Sequence, residues 1–148
     1  MFRNRIKQDD AEKLLGALKK SLSTHINFPE KGTSETFQVK SIEGNDFFKI
    51  NIYRGNVNRF KYNIGALISK DSIPLLELHI GPRNRHINPD GEIIEGSHWH
   101  IYSEQYGVSQ AFPAENMNSE RFVENTISFL DRFNVIEKPE IYYQPELT

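Results

Sequence analysis

The sequence predicts an α+β fold: one antiparallel sheet built as a meander, with an N-terminal and a C-terminal helix packed on one of its faces, in a single domain over residues 1–148. Three observations carry this. Apolar residues recur at helical spacing near both ends, the period becomes two between residues 36 and 103, and turn residues separate the period-two runs at short intervals.

The first helix rests on Ala11, Leu14, Leu15, Leu18 and Leu22, one stripe at three-and-four spacing, with Asp9 as N-cap and Glu12 three residues later. Pro29, Gly32, Thr33 and Ser34 then mark a loop. Strands are expected over 36–42, 47–53, 59–67 and 73–80, separated by Glu43-Gly44-Asn45-Asp46, Arg54-Gly55-Asn56 and Lys70-Asp71-Ser72. After Gly81-Pro82 a polar loop runs to Asn88-Pro89-Asp90-Gly91, and runs 92–94 and 97–103 make a last hairpin around Glu95-Gly96. The second helix rests on Phe122, Val123, Thr126, Ile127, Leu130 and Phe133, capped by Asn118 or Ser119 and ended by Asn134 in the left-handed conformation. The tail, with Pro139 and Pro145, is expected to be extended.

Strand parity then separates two faces. Phe48, Ile50, Ile52, Phe60, Tyr62, Ile64, Leu76, Leu78, Ile80, Trp99 and Ile101 should lie under the helices. Lys49, Asn51, Tyr53, Arg59, Lys61, Asn63, Glu77, His79, His98, His100, Tyr102 and Glu104 should lie on the open face.

Composition narrows the function classes. The chain has no cysteine, which excludes disulfides, thiol nucleophiles and thiolate metal sites and fits a reducing, cytoplasmic setting. No apolar run approaches the ~18 residues of a membrane span, and none follows Met1-Phe2-Arg3-Asn4-Arg5, so neither a membrane segment nor a signal peptide is expected. The net charge of −2 is unevenly spread: residues 1–100 hold 15 Lys and Arg against 12 Asp and Glu, residues 101–148 hold 3 against 8. The basic excess falls in the sheet, where it suits an anion-facing surface, although charges on a solvated face need no further explanation.

The chemically richest segment is Ser97-His98-Trp99-His100-Ile101-Tyr102-Ser103-Glu104. One reading is metal-independent cleavage of RNA, with no cofactor. His98 and His100 act as acid and base, Tyr102 and Glu104 orient them or relay protons, and Arg54, Arg59, Lys61 and His86 contact phosphate. Small ribosome-dependent ribonuclease toxins use such residue types on antiparallel sheets; the likeness is one of chemistry, not of sequence. A second reading is a metal site formed by His86, His98, His100 and Glu104. The His98-x-His100-x3-Glu104 spacing resembles that of cupins, but Ala111 stands where cupins carry glycine and no second Pro-x-Gly…His motif follows. The third is a binding surface without catalysis.

His86-x-Asn88-Pro89-Asp90-Gly91, then His98-x-His100-Ile101-Tyr102-x-Glu104-x-Tyr106-Gly107 with Ala111 and Pro113, resembles an uncharacterised family of small bacterial proteins, domain-of-unknown-function family 6978. The resemblance runs from the first helix to Phe133–Ile136 and includes Asn51-Ile52-x-Arg54-Gly55. The chain departs at Arg83-Asn84-Arg85, where a shorter Pro-Pro segment is expected, and at His79, where Asp is common. The resemblance implies a prophage or other mobile-element context, in which proteins of this size serve as toxins, antitoxins or inhibitors of host defence. The expected partners are RNA with a cognate antitoxin or, in a non-enzymatic inhibitor, a host or phage-defence protein; a homodimer is compatible with either.

Overall fold

A computed structural model describes residues 5–58 and 60–144. The described residues form helix α1 (Gln8–Gly16), strands β1 (Lys19–Ser21), β2 (His25–Asn27), β3 (Ser34–Ser41), β4 (Phe47–Arg54), β5 (Tyr62–Ile68), β6 (Pro74–Ile80), β7 (Arg85–Ile87), β8 (Ile93–Glu95), β9 (His98–Ile101) and β10 (Ala111–Pro113), helix α2 (Phe122–Arg132), and strands β11 (Val135–Glu137) and β12 (Glu140–Tyr142). The α+β class holds, but a single meander does not. The main sheet has eight strands in the order β10-β9-β6-β5-β4-β3-β1-β11, and β2–β12 and β7–β8 form separate two-stranded sheets. The pairs β1–β11 and β2–β12 are parallel, because the tail after α2 returns alongside the segment that follows α1.

The parity argument holds across the central strands. Phe48, Ile50, Ile52, Tyr62, Ile64, Leu76, Leu78 and Ile80 are buried in one core with Ala11 of α1 and Phe122, Phe129 and Leu130 of α2. Trp99 belongs to the same core and stacks on Phe129, ring centroids 6.1 Å apart. Helix α2 buries Phe122, Asn125, Thr126, Phe129 and Leu130, a stripe of helical period, while Ile127 is partly exposed. Asn134 is left-handed (φ 62°) as expected.

Helix α1 is shorter than its apolar stripe suggested. It ends at Gly16, a weak helix former, and Leu18 and Leu22 are exposed because the next residues pair as β1 with both β3 and β11. Its N-cap is Lys7, without a side-chain cap; the Gln8 amide instead donates to a Glu104 carboxylate oxygen at 2.8 Å. The start of α2 likewise lies at Arg121, while the Asn118 side chain accepts from the Glu120 amide.

Sheet pairing turns Lys19 inward, where it is fully buried. Its ammonium donates to the carbonyls of Leu15 (3.1 Å), Ala17 (2.8 Å) and Phe133 (2.8 Å), and lies 3.9 Å from the Phe133 ring centroid. One cation therefore joins the C-terminal ends of both helices, where carbonyls lack helical partners. Burial lowers the Lys19 pKa to about 7, with Asp46 opposing the shift. Between pH 7 and its ordinary 10.5 the unfolded lysine holds a proton that the folded one has released, so raising pH favours the fold. Lys19→Met removes three donors and should lower unfolding stability by about 2–4 kcal/mol. Urea titrations should show wild-type stability rising from pH 7 to 10 and the variant lacking that slope.

Candidate metal centre

Register brings the site together. Antiparallel pairing of β6 with β9 sets His79 opposite His98 and Glu77 opposite His100, so all four point from the open sheet face. The ring centroids of His79 and His98 are 5.2 Å apart, those of His79 and His100 4.5 Å, and those of His98 and His100 4.9 Å. One ligand nitrogen from each of the three histidines lies within 4.8 Å of the others.

Although they leave the sheet on its open side, His98 and His100 are only 3% and 4% exposed. The β7–β8 hairpin covers them and adds His86, whose ring centroid is 4.7 Å from that of His100 and 5.7 Å from that of His98. The hairpin replaces the expected pairing around Glu95-Gly96: β8 pairs back with β7, freeing β9 to join β6 and β10. Asn88 ties it down. The buried side-chain amide accepts from Ala111 N (2.7 Å) and donates to Ala111 O (3.0 Å), mimicking a neighbouring strand. Gly91 makes the turn at φ +93°. The Asn-Pro-Asp-Gly motif is thus the clamp that holds His86 over the site.

Each histidine has one nitrogen engaged. His98 Nδ1 donates to Gly96 O (2.9 Å), His100 Nδ1 to Val108 O (2.6 Å) and His86 Nε2 to Ser109 O (2.7 Å); His79 Nε2 donates to a Glu77 carboxylate oxygen (3.0 Å). A carbonyl or carboxylate oxygen only accepts, so these bonds fix the tautomers. The lone pairs are left on His98 Nε2, His100 Nε2, His79 Nδ1 and His86 Nδ1. The turn closed by Ser103 and Gly107, with Gly107 at φ +60°, presents the Val108 and Ser109 carbonyls. His100 Nε2 is buried without a hydrogen-bond partner. An unsatisfied buried acceptor costs about 1–3 kcal/mol and calls for a ligand.

The electrostatics agree. Burial lowers the His100 pKa to about 4, helped by the neighbouring His79 and His98 and opposed by its bond to Val108 and by Glu77. Burial also lowers that of His98, against the bond to Gly96. Both rings are kept neutral, the form that ligates metal. Three imidazole nitrogens around one Zn-sized ion stand roughly 3.4 Å apart at Zn–N distances of about 2.1 Å. Small side-chain rotations would close the present spacing onto an ion.

The other residues singled out from sequence are placed differently. The Tyr102 hydroxyl accepts from Ile6 N and donates to Ile6 O, both at 2.9 Å, and Glu104 exchanges bonds with Gln8, so these two hold the N-terminal segment to the sheet. The strand ends at Ile101, before the period-two row could carry them beside the histidines. Arg54 is 1% exposed on the helix-covered face, donating to Pro29 O with its guanidinium 4.6 Å from the Phe122 ring centroid. Lys61 is exposed in the turn before β5, and Arg59 lies outside the described residues. His79 and its partner Glu77 were absent from the candidates, although parity already put them on the open face.

A protein-family model described as a family of unknown function, DUF6978, matches residues 6–135. No curated protein and no solved structure matches the chain.

In metal-free protein, His100 should stay neutral with its proton on Nδ1 at pH 5.5, checked by nitrogen-detected imidazole NMR. A doubly protonated ring there would contradict the site's geometry. Stability should fall as pH drops from 6.5 toward 4, where the unfolded imidazole gains a proton that folded His100 refuses.

Proposed function

We propose that this chain, which belongs to the DUF6978 family of unknown function, is a metalloprotein in which His79, His98 and His100 hold one divalent transition ion for hydrolytic chemistry. The observation that carries this is the buried, unpartnered His100 Nε2 within a three-histidine cluster whose other ring nitrogens are all anchored. The Glu77 carboxylate behind His79 has the place that a carboxylate takes behind a ligating imidazole, fixing its tautomer and raising its basicity.

Three neutral ligands suit a catalytic rather than a structural ion, since structural zinc sites close with four. Such a set leaves the ion its full double charge, and a bound water is then acidified toward neutrality. His86 stands half-buried beside the cluster, on the side where the hairpin covers the sheet. The same two central histidines can serve as acid and base without metal, but that role gives no partner to His100 Nε2. The cluster also lacks the Tyr102 hydroxyl and Glu104 carboxylate, which bond to Ile6 and Gln8.

Elemental analysis after loading with zinc should find about one ion per chain, and chelation should lower the melting temperature by several degrees. His98→Ala and His100→Ala should each lose the ion, while Tyr102→Phe should keep it. Far less than one ion per chain after exposure to zinc, iron, manganese and nickel would overturn the assignment.

A further inference from the structure

The rest of the open sheet face has no part in the metal centre, yet register leads it there. Two cross-strand rows run into the histidines: Tyr53, Asn63, His79 and His98, and then Asn51, Gly65, Glu77 and His100. Strands lie about 4.8 Å apart, so Tyr53 stands roughly 10 Å from His79 along its row. Gly65 has no side chain, and the Glu77 side chain lies next to it: a Cβ there would stand 3.7 Å from Glu77 Cγ.

Positive charge dominates this face. Lys20, Lys40 and Lys49 share its parity; among the described residues of β1, β3, β4, β5 and β6 the one carboxylate there is Glu77, bonded to His79, and at the β11 edge Glu137 stands in register with Lys20. Two aromatic rings stand open on the same face, Phe47 (40% exposed) in register with Lys40 and Tyr53 (48% exposed) toward the other end of β4, beside Ser34 and Asn63. Lys40 Nζ lies 5.9 Å from the Phe47 ring centroid. The exposed Thr36 and Gln38 and the half-buried Asn51 and Asn63 add hydrogen-bonding groups. Flat aromatic faces suit unpaired bases, cations suit phosphates, and neutral polar side chains suit sugar and base edges.

We propose that the open face of β3, β4 and β5 binds a single-stranded nucleic acid and leads its phosphodiester to the histidine centre. The binding half stands on the face itself; the delivery half rests on the metal assignment. Hydrolysis there adds one water across a P–O ester bond, oxygen to phosphorus and proton to the departing oxygen, with no other co-reactant. A duplex fits worse, because its bases are stacked away from the rings. An acidic protein segment would match the charge but has no use for exposed stacking surfaces.

The test is fluorescence anisotropy with a labelled dodecamer of uridine, its deoxy counterpart, a duplex of equal length and polyglutamate as competitor, at low salt. Both single strands should bind better than the duplex, and polyglutamate should compete poorly. Lys20→Gln/Lys40→Gln/Lys49→Gln should weaken binding at least tenfold and lower the slope of log affinity on log salt by about 2, three contacts at ~0.7 each. Tyr53→Ala should weaken it about fivefold or more with the slope unchanged. No binding at low salt, an unaffected triple variant, or equal competition by polyglutamate would overturn the surface. Metal-depleted protein should bind as tightly as loaded protein, which separates this result from a failure of the metal assignment. Strands that bind the zinc-loaded protein but stay intact would overturn the delivery half alone.

Discussion

The pairing of β6 with β9 is the constraint on which the site depends. It sets His79 against His98 and Glu77 against His100, and a one-residue slip between these strands would put their polar rows on opposite faces. The opposite face of the same two strands is Leu76, Leu78 and Trp99, all within the helix-packed core. A slip of one residue would drive the histidines into that core and the apolar row out of it. The burial that stabilises the fold is therefore what aligns the polar row.

Backbone carbonyls and one carboxylate finish the alignment. Gly96, Val108, Ser109 and Glu77 each accept one imidazole N–H, leaving the second nitrogen of each ring as a base. Three of the four acceptors are main-chain atoms of turns whose shapes are set by Gly96, Gly107 and the Asn88 clamp on Ala111. Many residues around the histidines thus act on the shape of the turns rather than on any substrate. Pro89, Asp90 and Gly91 form the bend that lets Asn88 reach β10, and the Asp90 carboxylate closes it by accepting from the Glu92 amide.

Much of this was legible in the sequence, for a physical reason. Period-two alternation reports which side of a strand is buried, and it placed Trp99 inward and His98 and His100 on the opposite face. What alternation cannot report is which strands are neighbours. β6 and β9 are separated in sequence by the β7–β8 hairpin, so His79 looked like one more polar residue of an open face. Nor does it mark where a strand stops: Tyr102 and Glu104 keep the period, but the chain has already turned to meet Ile6 and Gln8. Leu18 and Leu22 keep helical spacing while lying outside α1, because sheet pairing on both sides of β1 outweighs local propensity. Arg54 read as a phosphate contact from its type, whereas its even parity with Ile52 and Ile50 already pointed it into the core.

The central claim is that the three histidines are ligands rather than a hydrogen-bonded core cluster. X-ray absorption spectroscopy of the zinc-loaded protein tests it most directly, with the His100→Ala variant as control. The account predicts a first shell of about three imidazole nitrogens at roughly 2.0–2.1 Å plus one oxygen donor, with the imidazole scattering diminished or lost in the variant. A shell made only of oxygen, or one that survives loss of His100 unchanged, would contradict it.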